Sequence, residues 1–201
     1  MTLAKLLSRM RSKKEGFEMD HIKHQKKNRI ITRVNEITTE GGLPKTGQTM
    51  SYQFGDDGTY QMGYPLGGGQ RFIDNGDGTI TDMVTGLMWV KDFQIAGFGM
   101  TMYWYDAINA CENLVFAGHD DWRMPNINEL MSIVDHSRYD PAWDPMIFGY
   151  PVDQWTPFWS STICAPWTDG AWCLYPYDGY KTNYGRPWDM CYVRPVRGGQ
   201  A

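Results

Sequence analysis

Between Arg71 and Asp92 the chain reads "RFIDNGDGTITDMVTGLMWVKD". Phe72, Ile80, Leu87, Trp89 and Lys91 stand in short alternating runs, broken at Asn75-Gly76, Asp77-Gly78 and Thr85-Gly86. β-prone residues punctuated by dipeptides that tolerate positive φ build hairpins, and no helix of useful length passes through them. Twenty-two Gly and eleven Pro in 201 residues extend that bias to short strands and turns along the whole chain. The length suits one sizeable domain. No apolar run approaches a membrane span, so the reading is a protein without an integral membrane segment.

The Asp-Gly text also invites a calcium-loop reading, which fails on register. Placing Asp77 at loop position five puts Ile73 at position one and Val84 at position twelve, and neither can ligate calcium. Two helices are predicted downstream. In "TMYWYDAINACENLVF", Trp104, Ala107, Ile108, Cys111, Leu114 and Val115 recur on one helical face. In "DWRMPNINELMSIVD", Asn126 and Glu129 form a capping-box pair, with Ile127, Leu130, Met131 and Val134 as the apolar stripe. From Ser137 the text is loop-rich, including "DPAWDP" and "YPVDQWTP". It then resolves into strands at "FWSSTI", "GAWCLYPY", "GYKTNY" and "DMCYVRPVR", with Asp178-Gly179 as a hairpin turn and Gly185-Arg186-Pro187 as a break.

Charge divides the chain. Residues 1–45 carry eleven basic and five acidic residues, a balance of +6, whereas residues 46–201 sum to −10. Residues 1–42 read as a basic arm and 43–201 as the main domain. The acidic main domain is a poor phosphate-backbone binder, so nucleic acid is not an expected partner there. The opening "MTLAKLLSRMRSKK" lacks an apolar stretch of signal-peptide length. Leu43 to Gly47, "LPKTG", matches a sortase pentapeptide but lacks the apolar tail and basic residues that should follow. Gly67-Gly68-Gly69 is read as a connector, having no Lys-Ser/Thr pair after it.

No HExxH, GxSxG or GxxxxGK[ST] signature is present. A triad drawn from His119, Asp120 or Asp121 and Ser160 or Ser161 has only composition behind it. Cys111, Cys164, Cys173 and Cys191 match no zinc spacing. They are read either as four buried thiols or as the pairs Cys111–Cys191 and Cys164–Cys173. No cofactor or metal is expected.

Taken in order, "GLPKTGQT…GDDG…RFIDNGDGTITDMVTGLMWVKD", "DAINACENL…DWRMPNINELMSIVD", "FWSST" and "YVRPVRGGQ" resemble the Lcl C-terminal-like domain family over residues 43–201. The middle is similar to the C-type-lectin superfold of formylglycine-generating enzymes, through a Trp-bearing helix with a Cys and the match of Arg123, Pro125 and Glu129 to "RxPxxxE". The resemblance implies an α+β, C-type-lectin-like fold, with two helices packed on short antiparallel sheets and many loops. It implies binding through the C-terminal strands. It does not carry over enzyme chemistry, for Cys191 has no close companion in a matching segment. Relatives of that superfold include retroelement-diversified proteins that vary a C-terminal patch, here about residues 159–197. The family text resembles "WSSTxYA", "AWYV" and "YYVR" where this chain has Cys164, Cys173 and Cys191. Cysteines at Tyr-like places imply diversified, ligand-facing positions.

Residues 169–194, "DGAWCLYPYDGYKTNYGRPWDMCYVR", hold the mixture of Tyr, Trp, Asn, Asp and Arg that suits a binding surface. Period-two alternation assigns Trp159, Trp172, Leu174, Val193 and Val196 to the core and turns Cys173, Tyr175 and Tyr177 outward. The expected ligand-binding set is Cys164, Trp167, Asp169, Cys173, Tyr175, Tyr177, Tyr180, Lys181, Asn183, Tyr184, Arg186, Trp188, Asp189 and Cys191. The expected function is non-catalytic binding of a protein or carbohydrate on a cell surface, by a receptor or adhesin that can oligomerise. Two alternatives stand beside it. One is an adhesin for sulfated polysaccharide, using clefts from Arg123, Arg186, Arg194 and Arg197. The other is a modifying enzyme of the formylglycine-generating type. Secretion or a phage-associated setting fits the family, and the residues themselves leave the compartment open.

Overall fold

In a computed structural model the residues described are 42–64, 71–165, 167–185 and 189–199, with the backbone alone at 167, 168, 184 and 185. The basic arm to Glu40, the triple-glycine connector, Arg186 and Trp188 lie outside them. After a four-residue helix α1 (Asp57–Tyr60), the Asn-Gly and Thr-Gly punctuation folds as read, into a meander of β1 (Phe72–Asp74), β2 (Thr79–Asp82) and β3 (Leu87–Val90). β3 is joined on its far side by β7 (Val196–Gly198), so the four-stranded antiparallel order is β1-β2-β3-β7. A second antiparallel sheet holds β4 (Phe158–Cys164), β5 (Trp167–Leu174) and β6 (Lys181–Gly185) in that order. The fold is therefore mixed, with few helices and two small sheets.

Helix α2 runs from Trp104 to Glu112 and buries Trp104, Ala107 and Cys111. It stops before the predicted stripe ends, because Asn113 leaves the helical conformation (φ −96°, ψ 2°). Val115, predicted for the buried face, is exposed as a result. Helix α3 (Ile127–Ser132) begins with the predicted capping box. Glu129 N donates to Asn126 Oδ1 at 2.9 Å, and Asn126 N donates to Glu129 Oε2 at 2.7 Å. Arg123 grips the same Glu129 carboxylate in a two-pronged pair at 2.7 and 2.8 Å and donates to the Gly198 carbonyl, fastening α3 to β7. A last helix, α4 (Pro145–Phe148), starts on an Asp144 cap.

Trp89, Trp122, Trp143 and Trp159 are almost fully buried, each at 1% exposure or less. Arg194 sits among them with its guanidinium 5.0 to 5.9 Å from the rings of Phe93, Trp143, Phe148 and Phe158. It donates to the carbonyls of Val90, Lys91 and Phe148. Burial pulls its pKa down to about 9, with the Asp92 carboxylate opposing. A second buried cation, Arg71, pairs with Asp82 at 2.7 and 3.0 Å beneath the first sheet.

The expected last strand "DMCYVRPVR" is corrected. Cys191 and Tyr192 make single bridges to Met102 and Phe158, and a strand forms only after Pro195, in the other sheet. Pro195 has no N–H to carry a ladder across, and the chain uses it to change sheets. The inward assignments of Trp159, Leu174, Val193 and Val196 hold, all at 0% exposure. Trp172, also assigned inward, is half-buried with the Lys181 ammonium 5.8 Å from its ring.

Candidate functional site

The three cysteines expected to face a ligand do not. Cys164, Cys173 and Cys191 are 1%, 0% and 3% exposed. Alternation misled at Cys173 because β5 is the middle strand of a sheet covered on both faces. On one face its neighbour Phe158 meets the rings of Phe93 and Trp143. On the other, Cys173 lies in register with Trp159, whose indole donates to the Met102 carbonyl. Cys164 is sealed by β6, where Asn183 Nδ2 donates to its sulfur at 3.4 Å. All four cysteines are free thiols, and neither expected pair forms. Cys191 meets the Cys173 thiol instead of Cys111. That hydrogen bond first, then burial, pushes the Cys191 pKa far up, and burial raises Cys111 to about 12. Buried positions cannot display variation to a ligand, so the three cysteines no longer support a diversified patch.

The remaining predicted residues fall into two groups. At the margins of the second sheet lie exposed Asp169 and Lys181, half-buried Asn183, and Trp172 with the Lys181 ammonium over its ring. Trp167 and Tyr184 belong to β5 and β6 of the same sheet. Asp189 is exposed further along.

The second group is built around the β5–β6 hairpin. Tyr175 and Tyr180 close it, Tyr175 N donating to the Tyr180 carbonyl, and Gly179 forms the turn at φ +73°. That glycine is required twice over. A Cβ there would stand 2.5 Å from a Val134 methyl, and the φ itself disfavours any side chain. The hairpin is zipped to residues 135–142, with Asp140 N donating to the Tyr177 carbonyl and Ala142 N to the Pro176 carbonyl. The contact brings three rings together. Tyr177 stacks on Trp155 at a centroid distance of 5.1 Å and an interplanar angle of 25°, and Tyr139 meets Tyr177 edge-on at 6.1 Å. Trp155 is 66% exposed, Tyr139 73% and Tyr180 63%.

Trp155 is held outward from below. The Asp153 carboxylate accepts from Trp155 N and Thr156 N at 2.8 and 2.7 Å, and from the Tyr192 hydroxyl at 3.2 Å. Burial pushes the Asp153 pKa up, but the hydrogen bonds from Thr156, Trp155 and Tyr192 outweigh it and leave the group more acidic than usual. Burial, then the charge of Asp153, raises the pKa of Tyr192. Beside Trp155, the Gln154 amide nitrogen donates to the Asp140 carboxylate.

Sequence reading missed Tyr139, Asp140, Gln154 and Trp155. The available signal was a Trp in "YPVDQWTP", where no periodicity supplied a face to bury it. A separate open groove of about 680 Å³ lies between Leu43–Pro44, Leu87, the start of α3 and Gly199, and no predicted site residue lines it. Among the described residues there is no helix long and apolar enough to cross a membrane. Comparison with curated proteins returns no match. Residues 78–197, from the β1–β2 turn to β7, match the model of the Lcl C-terminal domain, and the chain belongs to that family.

Proposed function

We propose that this chain is a non-catalytic binding protein, a C-type-lectin-like frame that holds its ligand by contact at the β5–β6 hairpin. One observation carries the reading: the solvent-facing stack of Trp155 on Tyr177, with Tyr139 beside it and exposed Tyr180 on the same hairpin, on backbone fastened to the core. Large aromatic surface left in water is costly unless something covers it, and rigid rings ringed by polar groups are the usual anchors of recognition. Lys181, Asn183 and Asp169, in the strands that the hairpin joins, would widen the contact. The ligand is a protein or carbohydrate, and a cell-surface adhesin or receptor is the setting that fits. Diversification of the C-terminal segment, about residues 159–197, would then act on Tyr177 and Tyr180, beside the fixed Trp155 and Tyr139.

The test is a selection of ligands for the full chain from a displayed protein library and a glycan array, repeated with a Trp155→Ala/Tyr177→Ala double variant. Loss of the selected binding, with a thermal midpoint close to the parent, is expected. Equal binding by the variant would remove the hairpin from the reading.

The adjacent thiols of Cys173 and Cys191 favour a second reading, a modifying enzyme of the formylglycine-generating type. Their burial and raised pKa oppose it, because the thiolate is the reactive form. Turnover of a Cys-bearing peptide would reverse that ranking. A sulfated-polysaccharide cleft draws less support. Arg123 is committed to Glu129, Arg197 to Asp121, and Arg194 is buried.

A further inference from the structure

We infer that the outer face of the Trp155 indole is a stacking platform for an unsulfated, β-linked pyranose chain. This rests on the reading of the hairpin as a contact-binding site and names its ligand. Tyr177 lies nearly parallel against one face of Trp155 and so covers it. The 66% exposure of Trp155 means that the opposite face is open. An open, flat indole face matches the C–H-lined face of a glucose or galactose ring whose hydroxyls are equatorial. β-Linkage presents such faces along an extended ribbon that can lie on a flat surface.

Polar groups for the hydroxyls come from the same loop and hairpin. Asp140 accepts from Gln154 and keeps acceptor capacity. The hydroxyls of Tyr139 and Tyr180, on exposed rings, both donate and accept.

Charge and ring geometry narrow the ligand class. Residues 135–156 with 175–180 hold five Asp and one Arg. That arginine, Arg138, is already paired with Asp135 at 3.2 Å and with Asp144 at 3.7 Å. A sulfated or otherwise anionic chain would meet net negative charge here. A quaternary ammonium needs several ring faces converging on one void. Here Trp155 and Tyr177 spend their facing surfaces on each other and Tyr139 meets Tyr177 by its edge, which leaves a platform rather than a cage.

The experiment titrates the full chain with cellohexaose and with a β-galactan hexasaccharide, read by indole fluorescence and calorimetry, alongside heparin and choline. Saturable binding of at least one neutral oligosaccharide is expected, insensitive to salt. Trp155→Ala should weaken it about tenfold or more, the size of one lost aromatic anchor, and Trp155→Tyr should restore part of it. Trp155→Tyr also serves as the folded comparison should the alanine variant lose its cooperative melt. Binding of neither saccharide, binding unchanged in both Trp155 variants, or binding of heparin or choline alone would each overturn the inference. A protein ligand lost on Trp155→Ala, with no saccharide bound, would overturn the sugar platform and leave the contact-binding function standing.

Discussion

Trp143 and Trp155 lie in the same loop-rich stretch and have opposite fates. Trp143 is 1% exposed, donates to the Gly149 carbonyl at 2.9 Å, and forms one wall of the aromatic box around Arg194. Trp155 is 66% exposed and stacks one ring face on Tyr177. Neither is in a regular element, so secondary structure does not decide the difference. The polar anchoring differs as well. The Trp143 indole N–H is satisfied inside. For Trp155 the backbone N–H is the anchored group, tied down by Asp153, and the ring is left outside. The density of aromatics in this chain thus serves two ends, a core and a surface, divided residue by residue.

The sharpest way to break the comparison is Trp143→Ala, which should cost about 3–5 kcal/mol by opening a cavity under Arg194. Chemical denaturation would show it as a lower midpoint, and a loss under about 1 kcal/mol would mean the box is not a unit. Next comes Gly179→Ala, expected to cost about 1–3 kcal/mol, since its Cβ would overlap Val134 and its φ is positive. That substitution loosens the hairpin under the rings, so it should also weaken ligand binding, which a core change elsewhere need not do.

A smaller effect is expected from acid. The folded Asp153 carboxyl has a lowered pKa, so its contribution is fully present above the unfolded carboxylate pKa. It is lost as pH falls through the folded value. Thermal melts from pH 6 downward should therefore fall less steeply for Asp153→Asn than for the parent, and parallel curves would count against the anchor. The smallest stability effect belongs to Trp155→Ala, about 1 kcal/mol, the size of one exposed aromatic stack. A cost comparable to that of Trp143→Ala would show that Trp155 is structural and erase the contrast.

The first sheet was legible because its turns are written in residues that only hairpins need, at Asn75-Gly76 and Thr85-Gly86. The capping box at Asn126 and Glu129 was legible for the same local reason. Alternation failed at β5, where Cys173 and Leu174 are consecutive and both fully buried. A period-two pattern assumes one wet face, and a strand covered on both sides has none. The candidate site was half legible. Tyr177 and Tyr180 stood out by their company, while Trp155 and Tyr139 reach them only through the contact of residues 135–142 with the hairpin, which no local pattern encodes.

β7 has a consequence for how the chain is made. Trp89 pairs with Val196 and Leu87 with Gly198, partners more than a hundred residues apart. At roughly 5–20 residues added per second, the ribosome needs on the order of ten seconds to deliver that partner strand. Throughout that interval the β3 edge, with Trp89 and Val90 on it, stands open beside a growing chain. Closure of the first sheet is therefore timed by the arrival of the three residues of β7.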